Sequence, residues 1–276
     1  TGVTYVGTPG YSGAYTQITV ASGAPTLYYV CTVHGAGMGN TANTNTTAGA
    51  SNFAGSINSV VNVNTTAGFS IVTFTSTTGT GSVGHGLGVA PSFTILKNRS
   101  TTGNWGCYHT SLGNNQYINL NSTSAAATSA GSWATSSTTM SIDQNNLIGS
   151  SGITCVLYCF AAVRGYSAFG SYTGNGSADG PFIYTGHRPR WLMVKSSTYA
   201  HSWEIYDTSR DSYNVAIKEL KAETSAAEST AKGASLDFLS NGFKVRYGSS
   251  GSLNASGQTY IYAAFAENPF NISRAR

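Results

Sequence analysis

The sequence predicts an all-β protein, and three observations carry that prediction. Charged residues make up only 9% of the 276 positions, against roughly a quarter in ordinary soluble domains. Gly, Ser, Thr, Asn and Ala take their place, together with 17 Tyr and 11 Phe. Short β-branched and aromatic runs are separated by Gly, Asn and Ser, which suits strands and tight turns rather than helices. A set of residues also recurs at one fixed spacing, so the strands fall into two copies of one unit. The predicted architecture is two tandem duplicated β-sandwich units, jelly-roll-like, preceded by a short β-hairpin segment.

The hairpin is read from Leu27–Asn40, LYYVCTVHGAGMGN. An aromatic strand runs into Cys31, His34 and Met38, which are ligand types of a blue-copper centre. The spacing resembles the C-terminal loop of plastocyanin-type cupredoxins over about a dozen residues. Such a centre takes a second histidine, but no histidine precedes His34, and His85, His109, His187 and His201 fall inside the duplicated units. The set is therefore incomplete, no metal or cofactor is expected, and residues 1–50 are read as a partial cupredoxin-like β segment. The Asn/Thr/Ala/Gly-rich stretch 39–67 reads as a connector or irregular edge, with the connector proper at 51–67.

The duplication rests on Pro91, Lys97, Trp105, Tyr108, Thr110 and Ser111, which recur as Pro189, Lys195, Trp203, Tyr206, Thr208 and Ser209 at a single offset of 98. The units open on GFSIVTFT and GYSAFGSYT and close on GITCVLYCFA and GQTYIYAAFA. They are assigned to 68–164 and 165–276. Strands are predicted at SFTILKN, WGCYHTSL, QYINLN and ITCVLYCFA, and in the second unit at RWLMVKS, WEIYDTS, FKVRY and TYIYAAFA. Asn241-Gly242 marks a hairpin. The stretch Val215–Lys232 has helical propensity, but its match in the first unit is NSTSAAATSAGS, so it is read as a loop with one or two turns at most. Cys155 and Cys159 would sit about 13 Å apart along a strand, too far for a disulfide, and the cysteines are read as buried thiols.

Chemistry-bearing motifs are weak. Gly79–Gly84 fits G-x-G-x-x-G, but the following HGLGVAP cannot start the helix that a dinucleotide site needs. No Asp or Glu precedes Asp143, so the first unit cannot supply the carboxylate pair of a sugar-cleaving site. Glu204, Asp207 and Asp211 read as a solvated, salt-bridged edge. His109 and Ser111 have no acid nearby to complete a triad. The net charge of +4 is scattered, giving no nucleic-acid footprint, and no apolar run approaches a membrane span. The chain opens without Met in mid-pattern, which reads as a fragment or processed product.

Aromatic side chains remain as candidates for stacking on sugar rings. Trp105 and Trp203 hold equivalent repeat positions and are expected to pack in the two cores. Trp133 has no counterpart and is the favoured exposed platform, with Tyr199, His201 and Tyr213 as further candidates for carbohydrate binding.

The segments GFSIVTFT, VGHGLGVAPSFTILKNRS, NWGCYHTSLG, GSYTGNGSADGPFIYTGHRP, SLDFLSNGFKVR and TYIYAAFAENPF, and the SRAR ending, resemble the C-terminal region of tail-fibre-like proteins of marine and cyanobacterial tailed phages. The resemblance covers nearly everything from residue 67 onward. It implies a non-enzymatic virion structural protein, a distal fibre or receptor-binding module on the tail or capsid surface. Its implied partners are other virion proteins, further copies of the chain (a homotrimer by default) and a host cell-surface glycan, with no nucleic acid and no membrane insertion. A capsid decoration or head-fibre protein is the alternative, and a polysaccharide depolymerase a weaker one. The resemblance transfers no catalytic residue.

Overall fold

The computed structural model describes residues 3–8, 11, 15–18, 27–31, 35–42, 49–248 and 251–269. The chain divides into two compact units, Thr1–Gly49 and Ala50–Arg276. In the first, β1 (Val3–Val6) pairs with β2 (Tyr15–Ile18), and β3 (Leu27–Cys31) with β4 (Gly35–Ala42), both antiparallel. The β3–β4 register shifts between Tyr29 and Cys31 and ends with Cys31 opposite Gly35. His34 lies outside the described residues, and so do the side chains of Cys31 and Met38.

The larger unit begins with β5 (Ala50–Asn52), β6 (Ser59–Asn64), β7 (Phe69–Thr75), β8 (Thr80–Gly84), β9 (Phe93–Asn98) and β10 (Gly106–His109). Next come β11 (Gln116–Asn119), β12 (Ala127–Thr128), β13 (Ala134–Thr135), β14 (Thr139–Asp143), the single turn of helix α1 (Gln144–Leu147) and β15 (Thr154–Phe160). They form an eight-stranded sheet in the order β12-β11-β10-β9-β15-β7-β6-β5, facing a three-stranded sheet β13-β14-β8. The period-2 alternation decides which side chains enter the sandwich. Val72 and Phe74 of β7, Leu96 of β9, and Cys155, Leu157 and Cys159 of β15 meet Val83, Met140 and Ile142 from the smaller sheet.

The second sandwich contains β16 (Ser167–Thr173), β17 (Phe182–Tyr184), β18 (Pro189–Ser196), β19 (Glu204–Asp207), β20 (Leu220–Lys221), β21 (Leu236–Leu239), β22 (Gly242–Val245) and β23 (Thr259–Ala266). Its sheets are β16-β23-β18-β19-β20 and β17-β22-β21. The order matches β7-β15-β9-β10-β11 and β8-β14-β13 strand for strand. The register matches as well. Phe160 lies opposite Phe93 and Phe265 opposite Trp191; His109 lies opposite Phe93 and Asp207 opposite Trp191; Thr154 lies opposite Thr75 and Thr259 opposite Thr173. The duplication seen in the sequence is therefore a duplication of the hydrogen-bonded ladder.

A third apolar cluster joins the two sandwiches through the outer faces of their large sheets. Phe93, Cys107 and Ile118 pack with Met193, Trp203, Ile261 and Ala263, and Phe160, Phe169 and Trp191 border them. Both faces of these sheets are thus covered, which explains why β15 and β23 are nearly continuous apolar runs.

Several expectations need correction. Residues 51–67 are not a connector: β5 and β6 extend the large sheet, and between them Ile57 bridges Val83 and enters the first core. Trp203 packs between the sandwiches instead of within one, and Trp105 is 36% exposed with Lys97 Nζ 5.6 Å from its ring. The G-x-G-x-x-G run is itself a strand, β8. The Asn241-Gly242 hairpin exists between β21 and β22, but its glycine serves packing: a Cβ there would come within 2.1 Å of the Ile183 carbonyl oxygen on β17.

Candidate functional site

A hollow of about 480 Å³ on the first sandwich is lined by Gly79, Thr80, Tyr117, Thr128, Asp143 and Asn145 among others. A second, of about 220 Å³, is lined by Asn98, Thr102, Asn104, Tyr117, Asn119 and Leu147 among others. Tyr117 and Asn146 border both hollows, which are therefore neighbours on one groove-like surface with the half-buried Tyr117 between them.

The walls follow from local structure. Asp143 ends β14 and caps α1, accepting the Asn146 amide at 3.3 Å. Its other oxygen accepts Ser129 Oγ at 2.7 Å and the Gly131 amide at 2.7 Å. Burial pulls its pKa upward, but the Ser129 and backbone hydrogen bonds outweigh it and hold the carboxyl below its usual value. Asp143 is thus an ionised, fully engaged buttress that fixes the Asn145-Asn146 turn. Around it the groove offers amides, hydroxyls and one aromatic ring. That chemistry fits a polyol, which needs paired donors and acceptors and a surface to stack on.

Of the residues expected to meet sugar, Trp133 is fully buried in the first core. Its amide donates to Asn115 Oδ1 at 3.2 Å and its carbonyl accepts the Asn115 amide at 2.8 Å, and so enclosed it cannot act as a platform. Tyr199 and His201 share the loop between β18 and β19, with Tyr199 58% exposed. His201 is half-buried against Gly251, where a Cβ would come within 2.0 Å of the imidazole. Burial first, then the Lys195 ammonium, lowers the His201 pKa, so the ring is neutral near pH 7. Tyr213 is 87% exposed but lies in the loop beyond the other end of β19. The fold does not assemble these three into one site.

The acids of the second unit are brought together, but inward. Glu204 is wholly buried instead of solvated. Lys232 Nζ bridges it to Glu219, which is itself 3% exposed, and the Tyr206 hydroxyl donates to Glu204 at 2.7 Å. Glu204, Glu219 and Lys232 make a buried structural triad, and Lys221 Nζ lies 3.8 Å from the other Glu219 oxygen. In the position equivalent to Glu204 the first sandwich has Gly106.

The groove residues were missed by sequence reasoning because they come from separate stretches between 79 and 149. One signal was available: Asp143 is the sole acid before Asp179 and is followed by Gln-Asn-Asn.

Fold and groove together define an all-β protein in which two stacked sandwiches carry a polar concavity. Residues 41–269 match the family described as a domain of unknown function, DUF7483, and the chain belongs to that family. No curated protein and no solved structure matches the chain.

Proposed function

We propose that this chain is a non-enzymatic structural and binding module of a phage virion, at the distal part of a fibre, and that it contacts host-surface glycan through the Tyr117 groove. The observation that carries the reading is the groove's lining: amides and hydroxyls around one phenol ring, with the only nearby carboxylate already saturated by hydrogen bonds. The location on a virion rests on the sequence resemblance to tail-fibre-like proteins. Binding loops carried on a rigid β scaffold agree with that role.

The test is binding of the chain to purified polysaccharide from candidate host cells. Tyr117→Ala should weaken it about five- to tenfold, in line with a lost stacking contact of about 1–1.5 kcal/mol. Unchanged affinity in that variant places recognition elsewhere, with the Tyr199–His201 loop next to be tried. Release of new reducing ends by the wild-type chain would overturn the non-enzymatic reading.

A further inference from the structure

Strand β16 presents a free edge that its duplicate does not. Apart from a bridge from its first residue, Ser167, to Val163, it pairs with β23 on one side only, whereas β7, in the equivalent place, lies between β15 and β6. In β7 the pairing with β6 runs from Phe69 to Phe74. In β16 the ladder to β23 uses Ala168, Gly170 and Tyr172, as the flanking bonds from Ala266 N–H to the Tyr166 carbonyl and from Gly174 N–H to the Gln258 carbonyl show. The N–H and C=O groups of Phe169, Ser171 and Thr173 therefore point to the open side, and within residues 50–276 no described backbone group pairs with them.

Natural edge strands are commonly blunted by charge, proline, bulges or shortness. β16 has none of these: it is seven residues long, SAFGSYT, with no charged residue and no proline, and its register with β23 is unbroken. Nor is the edge open because the core behind it needs a missing strand. The second sandwich fills that side with the rings of Tyr172, Tyr260, Tyr262 and Phe243, the first two stacked with centroids 5.0 Å apart. The first sandwich has Phe74, Cys155 and Leu157 at the positions of the three tyrosines and adds Ile57 and Val61 from the β5–β6 segment. What remains exposed on β16 is a row of backbone hydrogen-bonding groups.

We infer that β16 pairs antiparallel with β16 of a second copy of this chain, about a two-fold axis near Ser171, joining two five-stranded sheets edge to edge. Length selects the partner. The free edges elsewhere in residues 50–276 are β5, β12, β13, β17, β20 and β21, none longer than four residues, and β8, whose outer side the Ile57 segment already occupies. Among the described residues of 50–276, only β16 itself offers an open edge as long as Phe169–Thr173. Self-pairing places Ser171 opposite Ser171 and Phe169 opposite Thr173, with no like charges facing each other.

A contact of this kind gives even-numbered assemblies and so competes with the trimer expected from fibre symmetry. Sedimentation of the 276-residue chain should give a mass of twice 28.6 kDa, or an even multiple. Ser171→Pro removes an N–H that faces away from β23, and Ser171→Lys sets like charges across the axis. Both should return a 28.6 kDa species with an unchanged circular dichroism spectrum. A wild-type monomer or trimer, or an assembly that both variants leave intact, overturns the contact. A trimer would do so without touching the fibre reading.

Discussion

Lys97 and Trp105 in the first sandwich, and Lys195 and Trp203 in the second, occupy the same two rungs of the same ladder and meet opposite fates. Lys97 donates to the Gly103 carbonyl at 2.8 Å and lies by the exposed Trp105 ring. Lys195 is fully buried and donates to the Thr123 carbonyl at 3.0 Å, while Trp203 Nε1 donates to the Asn119 carbonyl at 2.9 Å. Residues 119–126 of the first sandwich thus cover the end of the second, and the Ala126 amide adds a bond to the Ser197 carbonyl. The corresponding end of the first sandwich is left open, and there the smaller hollow beside Tyr117 is found. Duplication supplied two equivalent ends; stacking covers one and leaves the other with a hollow beside Tyr117.

The largest expected effect tests the buried triad that the second sandwich has where the first has Gly106. Lys232→Met would leave Glu204 buried without its ammonium and Glu219 with only Lys221 Nζ at 3.8 Å, and should cost about 3–5 kcal/mol in urea unfolding. Combining it with Glu204→Gln and Glu219→Gln should restore most of the loss, because the charges needing a partner are then gone. A loss below about 1 kcal/mol in the single variant would mean that water reaches the triad.

A second comparison concerns the pair His109 and Asp207, which are equivalent by register. Burial lowers the His109 pKa to about 4, against a weaker opposing effect of its bond to the Tyr262 carbonyl. The unfolded chain therefore binds more protons than the folded one between pH 6.5 and about 4. The stability conferred by a neutral His109 is complete above 6.5 and is lost as pH falls toward 4, by at most ~3 kcal/mol. Asp207 is pulled upward by burial but held lower overall by Arg210, so its contribution is lost only below the usual carboxylate range. His109→Gln should flatten the upper window alone, read as unfolding midpoint against pH. His85, also lowered by burial, leaves a residual slope.

The ladder was legible in the sequence because it is written twice. Strand-length apolar runs and the recurring Lys, Trp and Tyr fixed both the strands and their equivalence. The edge strands β5 and β6 were not, because SVVNVN sits in Asn/Thr-rich sequence that reads equally well as loop. Exposure was the least legible property. Trp133 and Trp105 are the same residue type, and which of them reaches solvent depends on how the sheets stack, a long-range consequence that local spacing does not contain. Glu204 misled for a similar reason: its alternation with Tyr206 put both on one face, and packing of Tyr206 in the second core makes that face the inner one, where Lys232, 28 residues on, reaches Glu204.

The smallest effect is also the sharpest on the two ends. Trp203→Phe keeps most of the ring's burial but removes the Nε1 bond and leaves the Asn119 carbonyl unpaired between the sandwiches, at a cost of about 1–2 kcal/mol. Trp105→Phe removes an indole that meets solvent, and should change stability by less than about 0.5 kcal/mol. Both Trp main-chain amides donate to a side chain in the same relative place, Asn121 and Glu223, so backbone support is common to the two sites and drops out of the difference. Equal losses in the two variants would mean that the Trp203 contact contributes no more than the exposed site. The two ends would then differ in shape without differing in energy.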